Sequence, residues 1–288
     1  MNDYDNGNEY ERLYGELNMK GLFKTTIEKN TTCNMPVHAF CRPFNPNQVS
    51  VFGKCSDLSI PFETKENVLA QYIPDCFEIL EPVVDVRFLH CGDVDFLSGG
   101  SYNILDVTIP VQFNEKGNKL TGLYPLCMFE NDCEAIISGR EGYGLPKTFA
   151  NIADARHVGD HWFTTAGYNG EMFVELNFNE KKKLNEDKIA ALNKDPRCNY
   201  FGWRVIPNIG KGGCTIGEPT LYPHNFIYSD VWTGEGTVNW RDLGLEKCLM
   251  QGMLIHILAN IPVVKYLPAQ RSLFRRELLL SGSKSLKE

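Results

Sequence analysis

From about Val51 onward, the sequence consists largely of short apolar runs separated by Gly, Pro, Asn and Asp. Apolar and polar residues alternate at Val84–Phe88, Asp106–Ile109 and Met172–Phe178. A period of two is typical of strands that bury one face. Asn169-Gly170 stands just before the last of these runs, which predicts a two-residue hairpin turn. The absence of a strand–helix–strand alternation favours a mostly antiparallel sheet.

Helical patterns are few. Lys65–Tyr72 places apolar residues on one face and is stopped by Pro74, and Leu245–Leu258 has apolar residues near helical spacing. Many short strands with two or three helices predict a mainly β (α+β) fold, an antiparallel β-barrel or cone. The 288 residues fit one large domain with an N-terminal extension. We expect a partly flexible extension over 1–50, the barrel over 51–282 and a short tail over 283–288.

Composition narrows the classes of partner and compartment. The net charge of −7 argues against a nucleic-acid partner. The longest apolar stretch, Leu249–Val264, is interrupted by polar residues and is too broken for a membrane span. Residues 1–16 are acidic and polar and do not form a signal peptide. The ten cysteines contain no Cys-x-x-Cys pair, so we expect reduced thiols in a cytoplasmic protein.

Two histidines raise the question of a metal site. His157 and His161 are separated by three residues, a spacing that on a helix would place both on one face, as metal ligands often lie. Gly159 between them and the surrounding turn residues predict a loop instead. No metal site is therefore expected.

One lysine stands in a chemically suggestive place. Pro146-Lys147 closes a segment that contains Gly139, Gly142 and Gly144 and that lies between apolar stretches. A lysine there is either a solvated loop charge or a buried amine. Burial disfavours the charged form of an amine and lowers its pKa. A neutral amine can attack a carbonyl and form a Schiff base.

The residues around this lysine resemble a known active-site signature. Gly139-Arg140-Glu141, then Tyr143-Gly144, then Pro146-Lys147 is similar to the signature of the acetoacetate decarboxylase superfamily. By this resemblance Lys147 takes the place of the Schiff-base lysine, and the fold is a β-barrel or cone with helices packed outside. Acetoacetate decarboxylase itself is the standard example of a lysine activated beside another cationic group, so that mechanism comes from the resemblance.

The resemblance continues along most of the chain, in the family's order, from Ile60 to Leu280. Its further matching segments are Glu78-Ile79-Leu80-Glu81-Pro82 with Val86-Arg87-Phe88, Ile109-Pro110-Val111-Gln112-Phe113, Arg197-Cys198-Asn199-Tyr200 with Val205-Ile206-Pro207-Asn208, and Trp232-Thr233-Gly234. Family members tend to form homo-oligomers, so the resemblance also implies self-association.

The sequence departs from the family's decarboxylases at the site. Thr148 stands where they carry a second lysine, and Cys55, Leu89 and Ile104 stand where they carry an arginine and two glutamates. These departures argue against acetoacetate decarboxylation in particular. They leave imine chemistry open, because desolvation alone can lower the pKa of a lysine. The resemblance therefore implies a divergent member, and other members run aldol, retro-aldol or dehydration chemistry through the same lysine.

Three neighbours of Lys147 in sequence are candidates for the site. Arg140 can bind a carboxylate through two parallel hydrogen bonds, or it can brace the loop in an ion pair. Glu141 is a candidate for proton transfer. Tyr143 can donate a hydrogen bond as a neutral phenol, or it can simply pack.

Two further residues lie near the vacated family positions. His90 is a candidate general base or substrate-binding residue, since histidine titrates near neutral pH, although a hydrogen-bonded strand histidine is the simpler interpretation. Asp106 is the carboxylate nearest to the other vacant position.

Together these features predict a lyase that binds a 2- or 3-oxo acid or a ketone through an imine on Lys147. The chemistry is either decarboxylation or aldol, retro-aldol or dehydration, and it requires no metal or organic cofactor. The alternative is a small-molecule-binding barrel that has kept the fold and lost the chemistry.

Overall fold

A computed structural model describes residues 49–115 and 117–287. The extension predicted over residues 1–50 therefore lies outside the described residues, apart from its last two. The domain boundaries stay predictions.

Strands dominate the described residues. The strands are β1 (Val49–Glu63), β2 (Phe77–Ile79), β3 (Val83–Val94), β4 (Gly100–Glu115), β5 (Asn118–Glu130), β6 (Lys147–Phe149), β7 (Asn151–Ile152), β8 (Arg156–Val158), β9 (His161–Tyr168), β10 (Glu171–Lys183), β11 (Arg197–Pro207), β12 (Cys214–Trp240), β13 (Lys265–Tyr266), β14 (Ala269–Leu279) and β15 (Lys284–Ser285). The α-helices are α1 (Glu66–Leu69), α2 (Cys133–Ile137), α3 (Glu186–Leu192) and α4 (Leu249–Ala259). A π-helical turn, Ser138–Gly142, follows α2 directly.

The strands form one sheet that closes on itself. The pairing order runs β11-β5-β4-β3-β1-β14-β12, and β12 pairs in turn with β11, which completes a ring. Closure depends on the 27-residue strand β12, which pairs with β11, β14 and β10 at successive points along its length. All pairings are antiparallel except those of β5 with β6 and with β11. The prediction of a mainly β fold with an antiparallel, ring-like sheet is confirmed.

The local predictions hold best for strands and turns. The alternating runs lie in β3, β4 and β10. Asn169 and Gly170 form the hairpin turn between β9 and β10 with positive φ angles of 51° and 83°, as a type I′ turn requires. The predicted helices are shorter than expected, because α1 ends at Leu69 and α4 begins at Leu249. The short helices α2 and α3 were not predicted, since neither is long enough to show a clear period.

The two histidines considered as metal ligands lie in a hairpin. His157 is on β8 and His161 begins β9, and the His157 ring stacks on Trp162 at 4.3 Å. Gly159 occupies the turn with a φ of 58°. No cluster of metal-binding side chains occurs among the described residues.

Four adjacent strands, β1, β3, β4 and β5, are buried on both faces. Phe88, on one face of β3, belongs to the larger apolar core, whereas its neighbour Leu89 belongs to a second, smaller core. The second core also contains Ile104 and Met128. Each fully buried side chain of this kind contributes about 1.5–3 kcal/mol. The second core also contains Ala135 and Leu145, which come from the segment that leads to Lys147.

The longest helix among the described residues is α4, with 11 residues. A membrane-spanning helix needs about 20 apolar residues. No helix in the described part of the chain has the length and apolar character to cross a bilayer.

Candidate active site

The segment before Lys147 folds back on itself. The Asp132 carboxylate accepts a hydrogen bond from the Ala135 amide at 2.8 Å and caps α2. After the π-helical turn, Gly144 takes a φ of 72°, and a side chain there would bring its Cβ to 2.5 Å from the Arg204 amide nitrogen. The chain then enters β6, where Lys147 pairs in parallel register with Met128 of β5. Lys147 is thus held between a strand of the closed sheet and the end of α2.

Gly139, in the Gly-Arg-Glu triplet, makes room for the lysine side chain. A Cβ at this position would lie 2.6 Å from the Lys147 Nζ and closer still to its Cε. The lysine chain therefore lies directly across the Gly139 backbone. Gly142, three residues later, has no atom within 4 Å of the position where a Cβ would stand. The two glycines thus differ sharply in how much they constrain the site.

The Lys147 amine is nearly buried and has two partners. Its Nζ donates a hydrogen bond to the Ala135 carbonyl at 3.0 Å and lies 2.9 Å from Glu130 Oε1. The side chain of Lys147 is 9% exposed and that of Glu130 is 0% exposed. Burial raises the pKa of Glu130, and the charge of Lys147 opposes that rise. The second carboxylate oxygen of Glu130 has no hydrogen-bond partner among the described residues.

Glu130 was not among the residues predicted from the sequence. It ends the apolar strand β5 and stands directly opposite Ile104 of β4. Ile104 occupies a position where the resemblance led us to expect a carboxylate, and its other neighbour Leu89 is apolar as well. The carboxylate of this site thus comes from the adjacent strand. The available signal was an acidic residue placed directly at the end of an apolar run.

A second buried cation lies in the same core. Arg276 on β14 is 4% exposed, and its Nη2 lies 3.1 Å from Nδ1 of His224 on β12. His224 is 0% exposed, and burial, with the nearby Arg276 and Lys147 charges, holds its pKa well below the usual range. Arg276 also opposes the rise in the pKa of Glu130. The charges of Lys147 and Arg276 thus influence the pKa of both Glu130 and His224.

Aromatic rings connect the Lys147 segment to His224. Tyr143 stacks on Tyr222 with ring centres 4.1 Å apart, and Tyr222 meets His224 edge to face at 4.6 Å. Burial raises the pKa of Tyr143 to about 12, so its hydroxyl stays protonated at neutral pH. Tyr143, Tyr222, His224 and Arg276 form a continuous row, which we call the aromatic–arginine row.

Arg140 and Glu141 lie on the turn before Lys147. Arg140 is exposed and Glu141 is half-buried. The structure gives neither side chain a hydrogen bond or ion pair with a described residue, while the Glu141 carbonyl accepts a hydrogen bond from Arg204 Nε at 2.8 Å. The ion pair that could have braced this loop is thus not formed within the described residues.

His90 and Asp106 are engaged elsewhere. Alternation along β3 places His90 on the face opposite to Leu89 and Cys91, and its Nδ1 lies 2.9 Å from Asn103 Oδ1. Asp106 Oδ2 lies 3.4 Å from Arg87 Nη2 and accepts a hydrogen bond from the Tyr200 hydroxyl at 3.0 Å. The structure does not bring either side chain into contact with Lys147.

Thr148, in place of the family's second lysine, connects β6 to α4. Its hydroxyl accepts a hydrogen bond from Gln251 Nε2 at 3.2 Å. Successive residues of a strand point to opposite faces, so Thr148 points away from the Lys147 side chain. The nearby cation in this protein is Arg276, which reaches the site from a different strand.

The chain matches the family model described as acetoacetate decarboxylase (ADC) over residues 34–267. It therefore belongs to the acetoacetate decarboxylase family, and this membership supports a lyase-type function.

Curated relatives are distant. The acetoacetate decarboxylase of Burkholderia multivorans is 25% identical over 205 residues, which cover 71% of this chain and 78% of that protein. The Burkholderia cenocepacia enzyme is 26% identical over 214 residues, with the same shares.

Solved structures share the fold. The acetoacetate decarboxylase of Legionella pneumophila has a TM-score of 0.67 at 21% identity, covering 85% of this chain and 90% of that one. The enduracididine biosynthesis enzyme MppR, complexed with pyruvate, has a TM-score of 0.63 at 14% identity, covering 84% and 91%. An acetoacetate decarboxylase-like enzyme from Sphingomonas wittichii has a TM-score of 0.61 at 14% identity, covering 83% and 93%.

Proposed function

We propose that this protein is a carbon–carbon lyase that forms a Schiff base between Lys147 and a 2- or 3-oxo acid or a ketone. The observation that carries the proposal is the pair formed by Lys147 and Glu130, with Nζ and Oε1 2.9 Å apart and both side chains withdrawn from solvent. A lysine that served only as a solvated loop charge would have no reason to lie in such a place.

The pair can run imine formation without any other acid or base. The ammonium transfers a proton to the Glu130 carboxylate, and the neutral amine adds to the substrate carbonyl to give a carbinolamine. The protonated Glu130 then returns its proton to the carbinolamine hydroxyl, which leaves as water. The products are an iminium on Lys147 and an ionised Glu130, so charge and protons balance.

The iminium withdraws electrons from the adjacent carbon–carbon bond. Loss of carbon dioxide from a 3-oxo acid, or cleavage of a bond to an alcohol carbon, sends the bonding pair toward the iminium nitrogen and yields an enamine. Neither step calls for a metal or an organic cofactor. The structural relative solved with pyruvate, and also with the condensation product of pyruvate and imidazole 4-carboxaldehyde, supports small 2-oxo acids as test ligands.

We assign Tyr143 a supporting role as a hydrogen-bond donor to the substrate or carbinolamine oxygen, because it is a half-buried, protonated phenol in the segment that leads to Lys147. The roles of Glu141 in proton transfer, and of Arg140, His90 and Asp106 in substrate binding, stay predictions.

Borohydride trapping with peptide mass spectrometry tests the proposal. The protein is incubated with acetoacetate, pyruvate and related oxo acids and then reduced. We expect a reduced adduct on the peptide that contains Lys147, absent in Lys147→Ala and retained in the control Lys183→Ala, an exposed lysine paired with Asp230. If Lys147 gives no adduct with any carbonyl compound, the non-catalytic binding protein is the better account.

A further inference from the structure

Arg276 is a buried cation without a carboxylate partner among the described residues. Its contacts are His224 Nδ1 at 3.1 Å, Cys91 Sγ at 4.0 Å and the faces of Phe52 and Phe226, whose centres are 5.4 and 5.6 Å away. Aromatic faces attract a cation but do not neutralise it. A buried charge is costly unless an opposite charge accompanies it. Glu130, the carboxylate whose pKa Arg276 lowers, is paired with Lys147, so a bound anion can supply the direct counter-charge of Arg276.

Within the described part of the chain, the unpaired hydrogen-bonding groups of Arg276 and His224 are both donors. A guanidinium only donates hydrogen bonds, so Nδ1 of His224 must be the acceptor in their contact. The neutral imidazole then carries its proton on Nε2, which is buried and has no partner among the described residues. Arg276 Nε is likewise buried without a partner there. Both unpaired groups are donors, and a carboxylate is an acceptor-only group that can accept hydrogen bonds from donors of this kind.

We propose that Arg276 and His224 form the receptor for the substrate's carboxylate, and that this carboxylate stays on the substrate throughout the reaction. The proposal rests on the imine function proposed above. It adds the substrate class, a 2-oxo acid, in which the carboxylate and the carbonyl that reacts with Lys147 are adjacent.

The position of the receptor relative to Lys147 supports this pairing. The aromatic–arginine row runs from Tyr143, four residues before Lys147, to Arg276. Tyr222 of that row and Met128, the cross-strand neighbour of Lys147, belong to the same buried core. A small acid held between Lys147 and Arg276 would lie within this single core.

A guanidinium on the carboxylate decides between the two chemistries left open by the sequence. Decarboxylation turns the anion into neutral carbon dioxide, so a contact that stabilises the anion in the ground state raises the barrier. Aldol chemistry keeps the carboxylate. The iminium loses a proton from its neighbouring carbon to Glu130, and the enamine can then add to an aldehyde, with the new alkoxide taking that proton back. The geometry thus favours the aldol branch.

Because Glu130 is paired with Lys147, the group among the described residues that could compete as the counter-ion of Arg276 is the Cys55 thiol. The pKa of the Cys55 thiol is lowered by a hydrogen bond involving Cys91 and by the charge of Arg276, against the effect of burial. If a Cys55 thiolate were the partner of Arg276, Cys55→Ser would change the affinity for carboxylic acids as much as a substitution of Arg276. If Arg276 binds the substrate carboxylate instead, Cys55→Ser should leave that affinity unchanged.

The test compares pyruvate with pyruvamide, its neutral analogue of nearly equal shape. In the wild type we expect borohydride capture on Lys147 at a pyruvate concentration about 10- to 100-fold lower than for pyruvamide, the range for a hydrogen bond to a charged group. Arg276→Gln should remove this preference by weakening pyruvate alone, and Arg276→Lys should restore part of it. Arg275→Gln, on the same strand and paired with Glu277 at 3.1 Å, is the matched control and should change nothing.

L-Lactate supplies a readout that does not depend on the imine, because it has no ketone. Calorimetry should show lactate binding to the wild type and to Cys55→Ser, weakened about tenfold or more in Arg276→Gln. Capture of both pyruvate and pyruvamide without any preference, or lactate binding that is absent or indifferent to Arg276, overturns the receptor. Absence of capture with lactate binding that depends on Arg276 contradicts the imine function and leaves the receptor standing. The wild-type preference keeps the test decisive if Arg276→Gln fails to fold.

Discussion

Two buried arginines of the closed sheet, Arg87 and Arg276, differ in the partners that they have. Arg87 on β3 and Arg276 on β14 lie against the same ring, Phe226, with guanidinium carbons 5.2 and 5.6 Å from its centre. Arg87 Nη1 lies 3.8 Å from Asp57 and Arg87 Nη2 lies 3.4 Å from Asp106. Arg276 has no carboxylate partner in the described part of the chain. Both arginines are buried, and their partners differ.

The difference separates a structural charge cluster from a receptor. The Arg87 cluster balances its buried charges internally, since Asp57 and Asp106 face its guanidinium and Tyr200 contacts both Arg87 and Asp106. One oxygen each of Asp57 and Asp106 is nevertheless buried without a hydrogen-bond partner among the described residues. Its arginine and tyrosine come from segments that resemble the family. Among the described residues, Arg276 Nε and His224 Nε2 are buried donors without a partner, and the second oxygen of Glu130 is a buried acceptor without one. The unpaired atoms of the Arg87 cluster are carboxylate acceptors beside their own cation, whereas those of Arg276 and His224 are donors with no carboxylate at ion-pair distance in the described part of the chain.

The largest expected effect tests the comparison through stability. Arg87→Gln leaves the buried carboxylates of Asp57 and Asp106 without their cation and should lower the free energy of unfolding by about 3–5 kcal/mol. Arg276→Gln removes a charge that has no carboxylate partner and should cost less than half as much. Urea unfolding of the two variants gives both values. Equal losses would mean that Arg276 has a structural counter-ion as Arg87 does.

Glu130→Gln sharpens the functional side of the same contrast. The amide keeps the shape of the side chain but cannot accept the proton of Lys147, so the rate of imine formation should fall by about 10²- to 10⁴-fold. The rate is measured by adding borohydride at successive times after mixing with pyruvate and quantifying the reduced Lys147 adduct. Glu134→Gln, an exposed acid on α2, is the matched control. A Glu130→Gln rate within a factor of two of wild type would remove Glu130 from the mechanism.

A pair of glycines in one turn tests how tightly Lys147 is placed. Gly139→Ala would put a methyl group onto the lysine side chain and should displace its Nζ, with overpacking that costs about 1–3 kcal/mol. Gly142→Ala meets no atom within 4 Å and should be nearly neutral. Capture yield and urea unfolding are measured for both. Equal behaviour of the two variants would show that the contact with Gly139 does not position Lys147.

The smallest effect concerns pH and the Arg87 cluster. Burial raises the pKa of Asp57 to about 7 and that of Asp85 to about 6, against the pull of Arg87. Between about pH 4 and 7 the folded state therefore holds protons that the unfolded state has released, so the free energy of unfolding falls as the pH rises. Asp57→Asn should flatten this dependence, and exposed Asp160→Asn should not. An unchanged slope in Asp57→Asn would show that Asp57 is already ionised in the folded protein.

The features that depend on local patterns could be predicted from the sequence. The strands β3, β4 and β10 follow from alternation, the Asn169-Gly170 turn follows from the positive φ angles that these residues tolerate, and the attention to Lys147 follows from one contiguous segment. Each of these features depends on residues that are close together in the sequence, so it can be predicted without knowing how the strands pair.

The sequence did not point to Glu130 or Arg276, because strand pairing brings them to the site. Glu130 reaches the lysine through the β5–β6 and β4–β5 registers, and Arg276 meets His224 only where β14 pairs with the long strand β12. The resemblance directed attention to Cys55, Leu89 and Ile104, where charges were expected and none occur. The charges on the neighbouring strands lie outside the segments that resemble the family. A register is a long-range property, and one sequence does not reveal it.

The central claim is that Lys147 forms an imine with an oxo acid, and proton exchange at the substrate tests it most directly. The methyl protons of pyruvate in D₂O exchange when an iminium on the enzyme passes to an enamine, and proton NMR follows their loss whatever the final reaction is. The account predicts that the wild type accelerates this exchange and that Lys147→Ala reduces it to the rate without protein. Exchange that is equally fast in Lys147→Ala, or no acceleration by the wild type, would contradict it.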